Sequence, residues 1–157
     1  MKKTELVLGA IVSIKGDEAK RVKINGLTQK KIQYINDKQQ PEYLRYSQLV
    51  PIELNNNILF DLGFRTRRLH IGGKNIFDFI LVLTNSKDNN ESYTISVQPD
   101  DDLGISNKYR SVQIEATSDQ RTIRFGYVKD IHELQAIIQT SIKLNIDTEK
   151  FLLCGKD

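Results

Sequence analysis

Short apolar runs with a two-residue period, separated by polar turns, recur over most of the chain and constrain its fold more than any other feature. In AKRVKI, Val22 and Ile24 alternate with charged residues, as expected for a strand with one buried face. The NGL that follows is a turn signal, because Asn-Gly accepts positive φ at little cost. One long stretch, after residue 130, instead repeats its apolar residues at helical spacing. The chain is therefore predicted to be α+β and rich in β-strands.

Residues 1–54 are predicted to fold as a small SH3-like β-barrel region, because several short strands fall in about fifty residues. Gly9 marks a bulge or tight bend in the first strand, and Pro51 marks an edge or a strand end. The strand candidates are ELVLGAIVSI, AKRVKI, KKIQYI and YLRYSQLVPIEL.

Residues 55–157 are predicted to form an antiparallel sheet with one short and one C-terminal helix. An asparagine of positions 55–57 caps the short helix, and Gly63 ends it. The apolar run NIFDFILVLTN is typical of a central strand, and SYTISVQ, YRSVQIEATS and RTIRFGYV continue an antiparallel meander. The two regions form either two domains or one continuous domain.

The C-terminal helix begins at a His-Glu pair, which is also how several zinc hydrolases begin a helix. Asp130 is the predicted N-cap, and Glu133 stands three residues on, where a capping-box carboxylate reaches back. The zinc motif HExxH needs a second histidine at position 136, where this chain has Ala136. Glu133 is therefore predicted to be a cap and His132 a residue on the flank of the apolar stripe, and no metal site is expected. The stripe comprises Ile131, Leu134, Ile137, Ile138 and Ile142.

Composition predicts a soluble, cytoplasmic protein. With 39% hydrophobic and 27% charged residues, the chain has enough apolar material for a core. Its single cysteine, Cys154, makes no internal disulfide, which fits a reducing compartment. The apolar run of residues 6–14 is too short for a signal-peptide core, and no run approaches the roughly 18 apolar residues of a membrane helix. A membrane partner is therefore not expected.

The candidate ligand site lies in FRTRRLHIGGK, within the more basic half of the chain. Residues 1–78 hold 14 Lys+Arg and 8 Asp+Glu, whereas residues 79–157 hold 9 and 12, which favours an anionic partner for the first half. If this segment is a strand, alternate arginines share a face, and guanidinium forks match phosphate oxygens. The alternative is an edge strand whose charges face water. The predicted ligand-binding residues are Arg65, Arg67, Arg68, His70, Lys74, Tyr109 and Arg110.

Other motifs do not meet the spacing that their chemistry needs. The run Gly72–Asn75 lacks the preceding glycine and the Ser/Thr of a P-loop, and a Gly-Gly hairpin turn explains it. The acids of residues 100–102 can bind a divalent cation, but the EF-hand glutamate is missing and solvated loop acids are the simpler explanation. No catalytic residue, metal or cofactor is therefore predicted, and the protein is predicted not to be an enzyme.

Three stretches resemble an uncharacterised family of small proteins encoded by gut bacteria and their prophages and mobile elements. The stretches are LVLGAIVSIKG, LVPIELNNNILFDLGF and FGYVKDIHELQAI, with residues 129–131 as an apparent insertion. The middle of the chain, residues 65–122, departs from the family by its length and its arginine cluster. The resemblance implies an accessory gene of a phage or mobile element. The matching residues are Pro51, Ile52, Leu54, Leu62, Gly63, Phe64, Tyr127, Val128, His132, Leu134 and Gln135.

These observations predict a non-enzymatic accessory binding protein of phage or mobile-element type. Its expected ligand is an anionic, phosphorylated small molecule such as a nucleotide signal of host defence, bound by a homo-oligomer. Two alternatives remain open: a nucleic-acid-binding protein that uses the basic half, and a protein-interaction or virion-associated module that docks through a strand edge. A hydrolase using His70 or the acids of residues 100–102 ranks last.

Overall fold

The computed structural model describes residues 1, 6–84, 92–101, 108–117 and 120–142 of the 157-residue chain. The described residues form strands and two α-helices in one succession, with a turn of 3-10 helix at Tyr46–Gln48. The strands are β1 (Ile11–Ile14), β2 (Asp17–Lys23), β3 (Gly26–Leu27), β4 (Lys31–Ile35), β5 (Pro41–Arg45), β6 (Leu49–Val50), β7 (Arg65–Ile71), β8 (Lys74–Thr84), β9 (Ser92–Pro99), β10 (Tyr109–Ala116) and β11 (Thr122–Phe125). The helices are α1 (Asn56–Asp61) and α2 (Ile131–Ser141). The predicted β-rich α+β class is confirmed.

Two three-stranded antiparallel sheets, ordered β2-β1-β6 and β3-β4-β5, make up the N-terminal part of the fold. Val22 and Ile24, the alternating residues of AKRVKI, are buried as their period predicts. The described ladders do not close into a barrel, so the SH3-like barrel stays a prediction. The two sheets share a cluster that we call the N-terminal core, comprising Leu6, Ala10, Val12, Val22, Ile24, Ile32, Tyr34 and Leu49.

A five-stranded antiparallel meander, ordered β11-β10-β9-β8-β7, forms the second part of the fold. The run NIFDFILVLTN, predicted to be a central strand, forms β8, which lies between β9 and the edge strand β7. Residues such as Phe79, Ile95 and Val112 project from one face of the sheet into a second cluster, which we call the main core. The two helices contribute to the same core through residues such as Leu59 and Leu134. One face of this sheet is therefore covered, and the other, which we call the outer face, carries the residues of opposite parity.

The short helix α1 begins and ends at the signals present in the sequence. The side chain of Asn55 accepts a hydrogen bond of 3.0 Å from the backbone N–H of Ile58, which makes it the N-cap. After the helix, Gly63 adopts φ +88°, a conformation that glycine accepts without strain. The chain therefore turns sharply from α1 into β7.

The helix α2 contacts both the main core and the first strand. Glu133 caps it as predicted, since its Oε2 accepts from the backbone N–H groups of Lys129 at 2.8 Å and Asp130 at 3.3 Å. On a second face, Gln135 Oε1 accepts from the buried N–H of Ile11 at 2.9 Å. The first strand and the last described helix are thus hydrogen-bonded to each other. The predicted apolar packing of α2 is confirmed for Ile131, Leu134, Ile138 and Ile142, which are buried in the main core.

None of the helices in the described part of the chain is long and apolar enough to cross a membrane.

Candidate anion-binding face

The register of the β7–β8 hairpin divides the predicted arginine cluster between the two faces of the sheet. Arg65 lies opposite Ile80 and Arg67 opposite Asp78, whereas Arg68 lies opposite Phe77. Directly opposed side chains share a face, and Phe77 packs against the main core. Arg65 and Arg67 therefore project from the outer face. Besides these two, the outer face carries Asp78, Ile80, Thr94, Ser96, Gln98, Ser111, Gln113, Glu115 and Arg124.

Arg67 is held in place by a buried carboxylate. Its Nη2 lies 2.6 Å from Asp78 Oδ2 and its Nε lies 3.1 Å from Asp78 Oδ1, a bidentate pair. The same Nη2 donates to Ser96 Oγ at 3.3 Å. Asp78 is only 1% exposed, although it projects from the outer face of the sheet. The hydrogen bond to Asp78 raises the pKa of Arg67, so this guanidinium is a fixed cation.

A row of residues crosses the outer face from one edge strand to the other. Arg65, Ile80, Ser96, Gln113 and Arg124 are successive partners in the register. At its far end, Arg124 Nη2 donates to Gln113 Oε1 at 3.0 Å. Four strand intervals separate the two terminal arginines, so their backbones are about 19 Å apart. Two residues apart on one strand, Arg65 and Arg67 are separated by only about 7 Å.

Arg65 differs from Arg124, the other cation of this row, in its lack of partners among the described residues. Its side chain is exposed, and among the described residues no hydrogen bond or ion pair engages it. Asp78 balances the charge of Arg67, and Glu115 lies opposite Thr94 and Thr122 on the same face. The described outer face therefore carries a small excess of positive charge, which is concentrated on β7.

Three other predicted site residues lie away from the Arg65–Arg67 pair. Arg68 lies over the ring of Phe77, 5.9 Å from its centroid, on the core-facing side of the sheet. His70 Nδ1 is 3.1 Å from Asn75 Oδ1 near the hairpin turn. Lys74 begins β8 at that turn, opposite Ile71. The turn is formed by the Gly-Gly pair, both residues having positive φ, which confirms the hairpin explanation of this motif.

Tyr109 lies in the main core and has no ring surface for a ligand. It is 1% exposed, packs edge-on against Phe79 at 6.2 Å, and donates its hydroxyl to Asn56 Oδ1 at 2.8 Å. Burial raises the pKa of its phenol. A β-bulge between Tyr109 and Ser111 shifts the strand's phase and turns this ring inward. Arg110, at the bulge, is half-buried.

The start of α2 brings together three side chains that can ligate a metal. One ligand atom from each of Asp130, His132 and Glu133 lies within 4.8 Å of the other two. His132 was predicted to lie on the flank of the helix, but it is 3% exposed. Burial, and secondly the charge of Glu133, raises the pKa of Asp130 to about 6. The spacing D-x-H-E at a helix start is the signal that the HExxH test missed. The acids of residues 100–102, for which solvated loop acids were the simpler explanation, lie partly outside the described residues.

Comparisons of the chain with protein-family models, with curated proteins and with solved structures found no match. The resemblance of the three stretches therefore stays a prediction. We therefore base the functional interpretation on the geometry of the outer face and of the start of α2.

Proposed function

We propose that the protein is a non-enzymatic binding protein and that its outer face takes a phosphate-bearing, nucleotide-like ligand. The observation that carries this proposal is the pairing of an exposed Arg65 with a fixed Arg67 on one face of β7. Their separation of about 7 Å lets two guanidinium groups approach one phosphate or two neighbouring phosphates.

The fixed position of Arg67 supports this function. Asp78 and Ser96 engage Nε and Nη2 of its guanidinium, and Nη1 is the remaining nitrogen. A guanidinium that is already oriented loses less conformational entropy when it binds an anion. Arg65 supplies the uncompensated charge, and Arg67 supplies a preorganised donor beside it.

A second candidate ligand is single-stranded nucleic acid, and the position of Arg124 favours it. At about 19 Å from Arg65, Arg124 is too distant to contact the same phosphate. At about 3.4 Å of rise per stacked nucleotide, that distance corresponds to about six nucleotides. A strand of stacked nucleotides that crosses the sheet would contact both terminal arginines. A single nucleotide would contact only the β7 pair.

The biological role that we propose is sequestration of such a ligand by an accessory protein of phage or mobile-element type. It follows from the resemblance of the three stretches together with the absence of a predicted catalytic set in the sequence. A cytoplasmic location, a homo-oligomer and an SH3-like arrangement of the N-terminal sheets belong to the same proposal.

The test is a series of binding measurements with ligands of increasing length. It compares wild type with two outer-face variants and one matched control variant. Fluorescently labelled mononucleotide, dinucleotide and hexanucleotide are titrated against wild type, Arg65→Gln, Arg124→Gln and Arg68→Gln. Arg68→Gln is the matched control, because it removes the same charge from the same strand on the opposite face. We expect Arg65→Gln to weaken every ligand and Arg68→Gln to weaken none.

The series also separates the two ligands. If Arg124→Gln weakens only the hexanucleotide and lowers the slope of log K against log salt by about 0.7, the ligand is a nucleic-acid strand. If the mononucleotide binds tightly and Arg124→Gln has no effect, the ligand is nucleotide-sized. Equal losses for Arg65→Gln and Arg68→Gln would show that only net charge matters and would refute the outer-face site.

A further inference from the structure

Three side chains that can ligate a metal converge at the first turn of α2. They are Asp130, His132 and Glu133, and none of them belongs to the outer face described above. Asp130 is 7% exposed and His132 3% exposed, so the group is almost enclosed by protein. Their ligand atoms, two carboxylate oxygens and one imidazole nitrogen, lie within 4.8 Å of one another. Such convergence of acceptor groups in a buried place is typical of metal coordination.

Asp130 Oδ1 gives a second and independent indication of a ligand. This oxygen is buried, and the described residues offer it no hydrogen-bond donor. Buried polar atoms are almost always partnered, and a buried carboxylate oxygen needs either a donor or a cation. A ligand atom of Glu133 and one of His132 lie within 4.8 Å of a carboxylate oxygen of Asp130, and both groups bind metal ions.

Glu133 is oriented before any metal binds. Its Oε2 accepts from the backbone N–H groups of Lys129 and Asp130, which fixes the carboxylate and leaves Oε1 as its second oxygen. Hydrogen bonds of this kind orient the ligands of metal sites in general. The capping box predicted from the sequence therefore also positions a ligand.

We propose that Asp130, His132 and Glu133 bind one divalent transition-metal ion of the Zn²⁺ class at the start of α2. Ligand atoms bound to one Zn²⁺ at about 2.0–2.2 Å lie roughly 3–4 Å apart, so small side-chain rotations complete the site. The imidazole favours Zn²⁺ over Mg²⁺ and Ca²⁺, which prefer all-oxygen sets. Three protein ligands leave a fourth position for water.

The ion would fix the first turn of α2, where the chain is hydrogen-bonded through its backbone to the segment before α1. The backbone of Ile131 donates to Ile52 at 3.0 Å, and Leu54 donates to Lys129 at 2.8 Å, so the proposed ligands flank this junction. The binding of a metal at this place does not depend on the function of the outer face.

The experiment uses untagged protein carrying His70→Gln and Cys154→Ser. The chain has two histidines and one cysteine, so this background leaves His132 as its only imidazole and removes the thiol. Zn²⁺ is titrated by calorimetry, and the ring nitrogens of His132 are followed by ¹⁵N NMR. We expect one equivalent to bind, one ring nitrogen to shift, and the melting temperature to rise.

Two ligand variants and one control make the result decisive. Asp130→Asn and Glu133→Gln keep the shape of the side chain, and Gln still serves in a capping box. Each should weaken Zn²⁺ binding by more than the 10–100-fold typical of losing an outer partner. Glu53→Gln is the control, because Glu53 forms a β-bridge with Asp130 through its backbone only. Its carboxylate is 77% exposed and lies 3.7 Å from Lys129 Nζ.

Three outcomes would overturn the proposal. They are no saturable binding of Zn²⁺, binding that leaves the His132 nitrogens unshifted, and binding that Glu53→Gln weakens as much as the two ligand variants do. Tighter binding of Mg²⁺ or Ca²⁺ than of Zn²⁺ would also contradict it.

Discussion

Arg67 and Asp78 are predicted to contribute unequally to stability, although they form one ion pair. Asp78 is 1% exposed, while the side chain of Arg67 is 36% exposed. Arg67→Met keeps the aliphatic packing but leaves a buried carboxylate without its partner. Removing one partner of a buried pair costs about 3–5 kcal/mol, because it leaves a buried charge uncompensated. We therefore expect Arg67→Met to lower the free energy of unfolding by about that amount.

The reverse change, Asp78→Asn, should cost much less. Arg67 reaches water when its partner loses its charge, so the penalty is that of one weakened, partly screened interaction, about 1–2 kcal/mol. The asymmetry between the two variants is the prediction, and it follows from the difference in burial rather than from the contact itself.

Urea unfolding at pH 7 measures both free energies, and thermal melting should show a loss of about 10 °C for Arg67→Met. Arg65→Met, on the same strand but exposed, is the control and should change stability by at most about 0.5 kcal/mol. A cost for Arg67→Met that is equal to or below that for Asp78→Asn would refute this reasoning.

Three further predictions concern the helices and the main core. Asn55→Ala removes the N-cap of α1 and should lower the free energy of unfolding by about 1 kcal/mol, with Asn55→Asp near wild type in the same urea assay. Tyr109→Phe leaves Asn56 without its buried donor and should cost about 1–2 kcal/mol, and a neutral result would show that water replaces the hydroxyl. Burial raises the pKa of Asp130 from 3.8 to about 6, so the folded state holds this proton more tightly than the unfolded chain does. In metal-free buffer, the free energy of unfolding of wild type relative to that of Asp130→Asn should therefore be greatest below pH 4. It should fall by about 1–2 kcal/mol as the pH rises to 6. A difference between the two proteins that does not change with pH would contradict this prediction.

Local signals in the sequence were sufficient to predict most of the individual elements. The alternation of Val22 and Ile24 predicts a half-buried strand, and both are buried. The helix α1 lies between the predicted asparagine cap and Gly63. These signals are local because caps, turns and periodicity depend on residues a few positions apart.

The arrangement of the arginines was only partly predictable. Alternation along β7 correctly separates Arg65 and Arg67 from Arg68. The opposition of Arg67 and Asp78 follows from register, and the two-residue Gly-Gly turn fixes that register, since the two residues lie equally far from it. A hairpin constructed from this turn would have revealed the pair from the sequence.

Tyr109 and His132 show where a simple period fails. In YRSVQIEA, Tyr109 is out of phase with Val112, yet both face the main core because a bulge inserts an extra residue. His132 was assigned to the flank of one apolar stripe, but α2 has a second buried face that includes Gln135. Neither a bulge nor a second packing partner leaves a periodic trace in the local sequence.

The bond between Gln135 and Ile11 has a consequence for synthesis of the chain. The amide of Ile11 leaves the ribosome early, and its side-chain acceptor is 124 residues further along. Until α2 emerges, the first strand presents a backbone donor without its native partner, and the carbonyl of Leu8 likewise waits for Gln139. The N-terminal sheets therefore complete these hydrogen bonds only after α2 has been synthesised, and the packing of α2 is a late step in their folding.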